Sequence, residues 1–135
     1  MPILINIIAN NNQYGLTQDA KLFVKELRNI LGSDNFQVRW LPPFVTESPP
    51  VDINVFFEIP NPLLCHFAKI NVLIPNQEWF YQSWISYLPW FDYVFCKTAY
   101  CHRLFNDIKK KGICPQTQMV TTGWTSLDRW DSNFC

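Results

Sequence analysis

Two carboxylates in this sequence closely follow apolar runs of strand length. Glu58 comes directly after Val51–Phe57, and Glu78 follows residues 69–74 after a short polar turn. Runs rich in β-branched and aromatic residues indicate parallel strands covered on both faces, and ligands bind at the carboxyl ends of such strands. A carboxylate at the rim of an apolar pocket has a raised pKa and can accept a proton from a hydroxyl group. Both glutamates are therefore candidate general bases.

The two glutamates differ in how well a structural role explains them. Glu78 comes two residues after Asn76, where an acid in the first turn of a helix is favoured by the helix dipole alone. Glu58 lies between an apolar strand and Ile59-Pro60, and no comparable explanation applies to it. We therefore rank Glu58 ahead of Glu78.

A polar turn rich in amide side chains follows the first apolar run. Asn11 and Asn12 lie within residues 10–13, and Gly15 is the only glycine nearby. Amides donate and accept hydrogen bonds, as a sugar or other polyol requires, although asparagine is also common in turns that bind nothing. The turn has neither the dinucleotide-binding nor the P-loop glycine pattern. A polyol-binding turn and a turn that binds nothing both stay open, spacing alone favours the second, and no bound cofactor is predicted.

Alternating strand and helix signals indicate how these turns are positioned. A helix is predicted between an N-cap at Thr17 and a stop at Gly32, because apolar residues recur there at helical spacing. A short helix opening at Asn61 is predicted to reach Ala68, and Thr98 is predicted to cap a third. The predicted strands cover residues 3–8, 36–41, 51–57, 69–74, 93–96 and 119–122. The order predicts an α/β fold, a three-layer Rossmann-like domain with a mostly parallel sheet of about six strands.

The connection across residues 41–50 contains four prolines and is short for a crossover between parallel neighbours. The strands on either side of it are therefore predicted not to be adjacent.

Composition limits the classes of partner. The 135 residues suit a single domain, residues 1–135, and 11 basic and 11 acidic residues give zero net charge. Nucleic acid and anionic membrane would have to bind without a general electrostatic attraction. The first apolar run is too short to span a bilayer and has no basic leader, so we expect a cytoplasmic protein with reduced cysteines and no metal site.

Aromatic residues are concentrated between Trp79 and Phe95, where nine of seventeen positions are Trp, Tyr or Phe. Part of this set is expected in the core, because aromatic side chains supply much of the burial in a small domain. The remainder would form either a sugar-stacking platform or an apolar patch for a second protein surface, including a second copy of the chain.

Five short motifs together resemble a known family. They are GLTQDA at residues 15–20, FFE at 56–58, NVLIPNQEWF at 71–80, CKT at 96–98 and TGWTS at 122–126. In this order they resemble the N-terminal, acceptor-side half of GT-B glycosyltransferases, family-1-like.

The resemblance implies an acceptor-side domain whose strand ends face a cleft completed by a second, nucleotide-sugar-binding domain. Gly15 and Asp19 would lie in the first cleft loop, with Glu58, Asn76 and Glu78 on the acceptor side. Thr98 and Ser126 would lie on the cleft floor. A nucleotide-sugar would be the donor substrate and a sugar or glycan the acceptor, with weak or no activity unless a donor-binding partner is present. The alternative is a non-catalytic carbohydrate-binding or protein-interaction module.

Overall fold

The fold comes from a computed structural model that describes residues 2–10, 15–76 and 80–122, leaving out the side chains of residues 15–18. It has six strands: β1 Ile3–Ile8, β2 Phe36–Leu41, β3 Val51–Phe57, β4 Ala68–Ile74, β5 Tyr93–Cys96 and β6 Gln118–Thr121. The α-helices are α1 Gly15–Leu31, α2 Pro62–Cys65 and α3 Ala99–Lys110, and 3-10 helices cover Ser33–Asn35 and Gln82–Trp90. In the described ranges no helix has the length and apolar character needed to cross a membrane.

All six strands belong to one parallel sheet with the order β2-β1-β3-β4-β5-β6. Side chains alternate along each strand, so Ile5 and Ile7 pack with α1 while Ile8 packs on the opposite face. That opposite face is covered by α2, the 3-10 helix Gln82–Trp90 and α3. The predicted three-layer, Rossmann-like α/β fold is confirmed.

The connection from β2 to β3 passes β1, so the prediction that these two strands are not neighbours is also confirmed. Residues 42–50 contain no helix. An extended chain advances about 3.3 Å per residue against 1.5 Å in a helix, so the proline-rich segment can cross two strand spacings and return to the amino edge of the sheet. The Asn61 side chain holds this segment by donating hydrogen bonds to the carbonyl oxygens of Pro43 and Val45.

The ends of the helices follow local sequence signals in most places. Gly32 ends α1 at φ +84°, which glycine adopts without the strain imposed by a Cβ atom, and Thr98 caps α3 by accepting from the Cys101 amide. Two predicted limits are wrong. Helix α1 begins at Gly15, two residues before the predicted cap, and α2 ends at Cys65 because Ala68 already pairs with Val51 in the sheet.

The α1 face of the sheet is covered unevenly. Ile70, Tyr93 and Val120 lie on β4, β5 and β6, and each is more than one-third exposed, with no described helix over them. On the reverse face of the same strands Leu73 and Val94 are fully buried. An apolar strip is therefore open on the far half of the α1 face in the described part of the chain.

Candidate functional site

The order of the strands reverses at β1, which identifies one edge of the sheet as the place to look for a site. From β1 the chain continues to β2 on one side and later returns to β3 on the other. Crevices that bind ligands form outside the carboxyl ends of strands at such a switch point. We use the name carboxyl rim for the residues that end or directly follow these strands: Ala9, Asn10, Leu41 to Pro43, Glu58, Asn76 and Lys97.

An ion pair joins two distant elements at the carboxyl rim. Lys97 directly follows β5, and its Nζ lies 2.8 Å from Oδ2 of Asp19 in α1. The Asp19 side chain is 3% exposed and that of Lys97 is 20% exposed. The prediction that Gly15 and Asp19 lie in a cleft loop is wrong, because Gly15 is the first residue of α1 and Asp19 is buried within it. Asp19 therefore positions the largely buried Lys97 side chain at the rim.

Glu58 is held in an uncommon backbone conformation at the end of β3. It is the one described non-glycine residue with a positive φ, +72°. The Glu58 amide donates a hydrogen bond to the Ile74 carbonyl oxygen at 2.9 Å and so extends the pairing of β3 with β4. The next amide, of Ile59, donates to the Phe57 carbonyl oxygen at 2.9 Å and closes a tight turn. Such a φ costs about 1–3 kcal/mol and persists only where the surrounding structure enforces it. The turn thus fixes the direction of the Cα–Cβ bond of Glu58 at the end of β3.

The environment of Glu58 also changes its acidity. Partial burial raises the pKa of the Glu58 carboxyl, and the positive charge of Lys97 lowers it by a smaller amount. A higher pKa makes the carboxylate a stronger base, while the nearby ammonium favours its ionised form. Glu58, Lys97 and Asp19 therefore form a small charged cluster in which one carboxylate is paired and the other faces the rim.

A cavity of about 600 Å³ opens at the same rim between the ends of β1 and β2. Its described lining consists of Ala9, Asn10, Lys21, Trp40, Leu41, Pro42 and Pro43. Trp40 pairs with Ile7 and Ile7 pairs with Val55, so Glu58 lies two strand spacings across the sheet from Trp40 and three residues further along it, about 14 Å between Cα atoms. A ligand bound against Trp40 would need two linked rings to extend towards Glu58.

Sequence reasoning did not single out Trp40 and Lys21. Trp40 is paired with Ile7 in the sheet, which places it on the α1 face near the carboxyl end of β2. The alternation Phe36, Val38, Trp40 was the available signal for that orientation. It did not reveal the cavity, because Lys21 approaches Trp40 only after α1 has packed on the sheet.

The remaining predicted site residues have mixed outcomes. Asn76 is half-buried just after β4, at the carboxyl rim. Thr98 is exposed, and its hydroxyl serves as the cap of α3. Asn11, Asn12, Glu78 and Ser126 lie outside the described residues.

Four cysteines, Cys65, Cys96, Cys101 and Cys114, are free and buried, as predicted for reduced core thiols. Burial raises the pKa of Cys65 to about 12 and also raises that of Cys114, so neither presents a ready thiolate. In residues 2–10, 15–76 and 80–122 no three His, Cys, Asp or Glu side chains converge as metal ligands would.

The aromatic residues between positions 80 and 95 are dispersed. Phe80 and Phe91 pack into the core against Phe105 and Phe56. Of the exposed rings, Tyr81 and Trp90 lie at opposite ends of the 3-10 helix Gln82–Trp90, and Tyr93 lies on the α1 face of β5. The described rings therefore form no single stacking platform.

Fold and rim together define a three-layer, Rossmann-like α/β domain whose candidate site lies at the carboxyl edge of a parallel sheet. No family model, no curated protein and no solved structure matches this chain.

Proposed function

We propose that this chain is the acceptor-side domain of a glycosyl-transferring protein. In this proposal a sugar or other hydroxyl-bearing acceptor binds at the carboxyl rim, and a second domain or partner supplies a nucleotide-sugar. The observation that carries the proposal is Glu58, a carboxylate with a raised pKa in an enforced turn at the end of a central parallel strand.

The proposed chemistry assigns one proton to Glu58. As the acceptor oxygen bonds to the anomeric carbon of the donor, the Glu58 carboxylate accepts the hydroxyl proton, and the nucleoside diphosphate leaves with the electron pair of the broken bond. The Asp19–Lys97 pair keeps a positive charge near Glu58 and so limits the rise of its pKa. Stabilising the diphosphate requires further donors, and a donor-binding partner would provide them.

The direct test is the titration of Glu58 in the presence of a polyol. The side-chain carboxyl carbon of Glu58 is followed by NMR from pH 3 to 8, with and without methyl glucoside. We expect the probe to bind saturably and to change the apparent pKa of Glu58, while the signal of the exposed loop residue Glu47 does not respond to the probe. If the probe does not bind, or binds without affecting Glu58, the assignment is wrong.

A second readout is turnover. With UDP-glucose and an aryl alcohol acceptor, we expect only slow nucleotide release from this chain, lost in Glu58→Gln and retained in Glu47→Gln. Transfer at ordinary enzyme rates, on the order of 1 to 1000 per second, would show that no donor-binding partner is needed. Release that persists in Glu58→Gln would remove Glu58 from the proposed chemistry.

A second candidate function is that of a protein-interaction module. The apolar strip of Ile70, Tyr93 and Val120 favours it, since exposed apolar patches mark interfaces. If a second copy covers this strip, sedimentation velocity of the unmodified chain will show a concentration-dependent dimer that Tyr93→Lys disrupts. A monomer at all concentrations would exclude self-association through this strip.

A further inference from the structure

We infer that the cavity between β1 and β2 binds the acceptor, and that this acceptor is a ring-containing molecule with an anionic group. The ring stacks on Trp40 and the anionic group approaches Lys21. In naming the ligand as an acceptor the inference rests on the proposed function, whereas the binding itself is measured without any transfer.

The ring preference comes from Trp40 and its surroundings. Trp40 is 49% exposed and lines the cavity together with Leu41, Pro42 and Pro43. Three apolar side chains beside a half-exposed indole form a wall without charge. A tryptophan face pairs favourably with flat rings, and the apolar face of a pyranose packs against it in the same way. The wall therefore favours a ring over a flexible or purely ionic ligand.

The anionic preference comes from Lys21. Among the lining residues that the structure describes, Lys21 is the one that carries a charge, and it extends from an exposed position on α1. Asn10 adds an amide at the end of β1. Binding cavities of a few hundred cubic ångströms are mostly apolar, with a few polar groups that orient the ligand. With one lysine in that role, a carboxylate or phosphate on the ligand is the matching group.

Size supports a ligand of two linked rings. The cavity volume of about 600 Å³ lies within the range of sites for small organic molecules. A two-ring ligand on Trp40 spans most of the roughly 14 Å to Glu58 and brings a hydroxyl group towards it.

The experiment compares two probes that differ in one group, 4-nitrophenyl glucuronide and 4-nitrophenyl glucoside, by titration calorimetry. We expect the glucuronide to bind about three- to fivefold more tightly at low ionic strength, a preference that salt reduces. Lys21→Gln should abolish the preference and leave glucoside binding unchanged. Lys25→Gln, an exposed lysine one turn along α1, should retain it.

Variants of Trp40 test whether the ring of the ligand stacks on this side chain. Trp40→Ala should weaken both probes about tenfold, and Trp40→Phe should recover most of the loss. Trp90→Ala is the matched control, because Trp90 is also 49% exposed but lies on the 3-10 helix outside the described lining. The thermal unfolding of each variant establishes that it is folded before binding is measured.

The outcomes separate this inference from the proposed function. Equal affinity for the two probes, or no effect of Trp40→Ala in a folded variant, overturns the assignment of the cavity. Binding that follows the expected pattern supports it. If the pattern holds while bound probe does not change the titration of Glu58, the cavity assignment stands and the glycosyl-transfer proposal fails.

Discussion

The ammonium group of Lys97 lies 2.8 Å from the carboxylate of Asp19, a residue 78 positions earlier in the chain. This contact fixes the end of β5 to α1 and places a positive charge near Glu58. A buried carboxylate that loses its partner pays a large desolvation cost, so the pair is expected to matter more for stability than surface pairs do.

Lys97→Met tests that expectation. We predict a loss of about 3 kcal/mol in the free energy of unfolding, because Asp19 would remain charged and buried. Lys69→Met is the matched control, since Lys69 pairs with Asp52 at side-chain exposures of 82% and 35%, and it should cost less than about 1 kcal/mol. Urea unfolding measures both. Equal losses in the two variants would contradict a special role for the buried pair.

The double variant Asp19→Asn with Lys97→Met refines the same test. Removing both charges leaves no buried ion that has lost its salt bridge, so the double variant should be less destabilised than the sum of its single variants. Additive losses would show that the two side chains act independently.

Glu58 is predicted to lower stability as the pH rises. Its folded-state pKa is raised, so the folded protein holds the proton more tightly than the unfolded chain does. The resulting stabilisation is complete below the unfolded pKa and is lost as the pH passes through the folded pKa. Relative to Glu58→Gln, the unmodified chain should therefore lose stability as the pH rises from the pKa of glutamate in the unfolded chain to the higher pKa of Glu58 in the folded protein.

Lys97→Met supplies the check on that mechanism. The lysine lowers the pKa of Glu58, so its removal should move the stability loss to higher pH. Urea unfolding at several pH values measures this. A constant difference between the unmodified chain and Glu58→Gln at all pH values would show that the Glu58 pKa is not perturbed.

A row of three buried asparagines gives the third prediction. The Oδ1 of Asn54 accepts a hydrogen bond from Nδ2 of Asn6 at 2.9 Å. The Nδ2 of Asn54 donates to Oδ1 of Asn71 at 3.1 Å and to the carbonyl oxygen of Leu64 at 2.9 Å. Sheet register aligns the three asparagines side by side on β1, β3 and β4. Asn54→Ala removes three buried hydrogen bonds, each contributing about 1 kcal/mol, so we predict a total loss of about 3 kcal/mol, although Asn6 still donates to Ser48 and the Leu64 carbonyl oxygen still accepts from Phe67.

Asn29→Ala is the control for that experiment, because Asn29 is exposed on α1 and alanine suits a helix. It should change the free energy of unfolding by less than about 1 kcal/mol. If urea unfolding showed that Asn54→Ala lowers the free energy of unfolding no more than Asn29→Ala does, the asparagine row would contribute little to the stability of the sheet.

Asn61 gives the fourth prediction, which links stability to the cavity. Its Oδ1 accepts from the Leu63 amide at the start of α2, and its Nδ2 donates to Pro43 and Val45. Asn61→Ala should cost about 2 kcal/mol and weaken probe binding, since Pro43 is part of the cavity wall.

Asn61→Asp separates the two roles of this side chain. Aspartate can still cap α2 but cannot donate to the two carbonyl oxygens. It should therefore keep the helix and lose the cavity wall, as measured by urea unfolding and by titration calorimetry with 4-nitrophenyl glucoside. Unchanged binding in Asn61→Asp would show that the two hydrogen bonds do not shape the cavity.

Local patterns were sufficient for much of the fold. Strands β2, β3 and β5 have the bounds that their apolar runs predict, and the roles of Gly32 and Thr98 follow from their residue types. Tertiary contacts overrode local signals in other places. Leu104 lies at helical spacing from Cys101 and Ile108 on α3, yet it is 38% exposed, since the core reaches only the neighbouring stripe of Cys101 and Phe105.

The candidate site was only partly predictable for a related reason. Glu58 was identified because a carboxylate directly after a buried strand is a local signal. The partnership of Asp19 with Lys97, and the approach of Lys21 to Trp40, depend on how α1 lies across the sheet. No local pattern encodes that placement.

The sequence by itself determined the strands, the turns after them and the side of each strand on which a residue lies, because alternation and capping act over a few neighbouring residues. Only the tertiary structure decided that β1 lies between β2 and β3, and therefore which polar ends meet at one rim. Backbone hydrogen bonds and apolar burial are available to any strand of suitable length. The choice among pairings is consequently made by the packing of the whole chain.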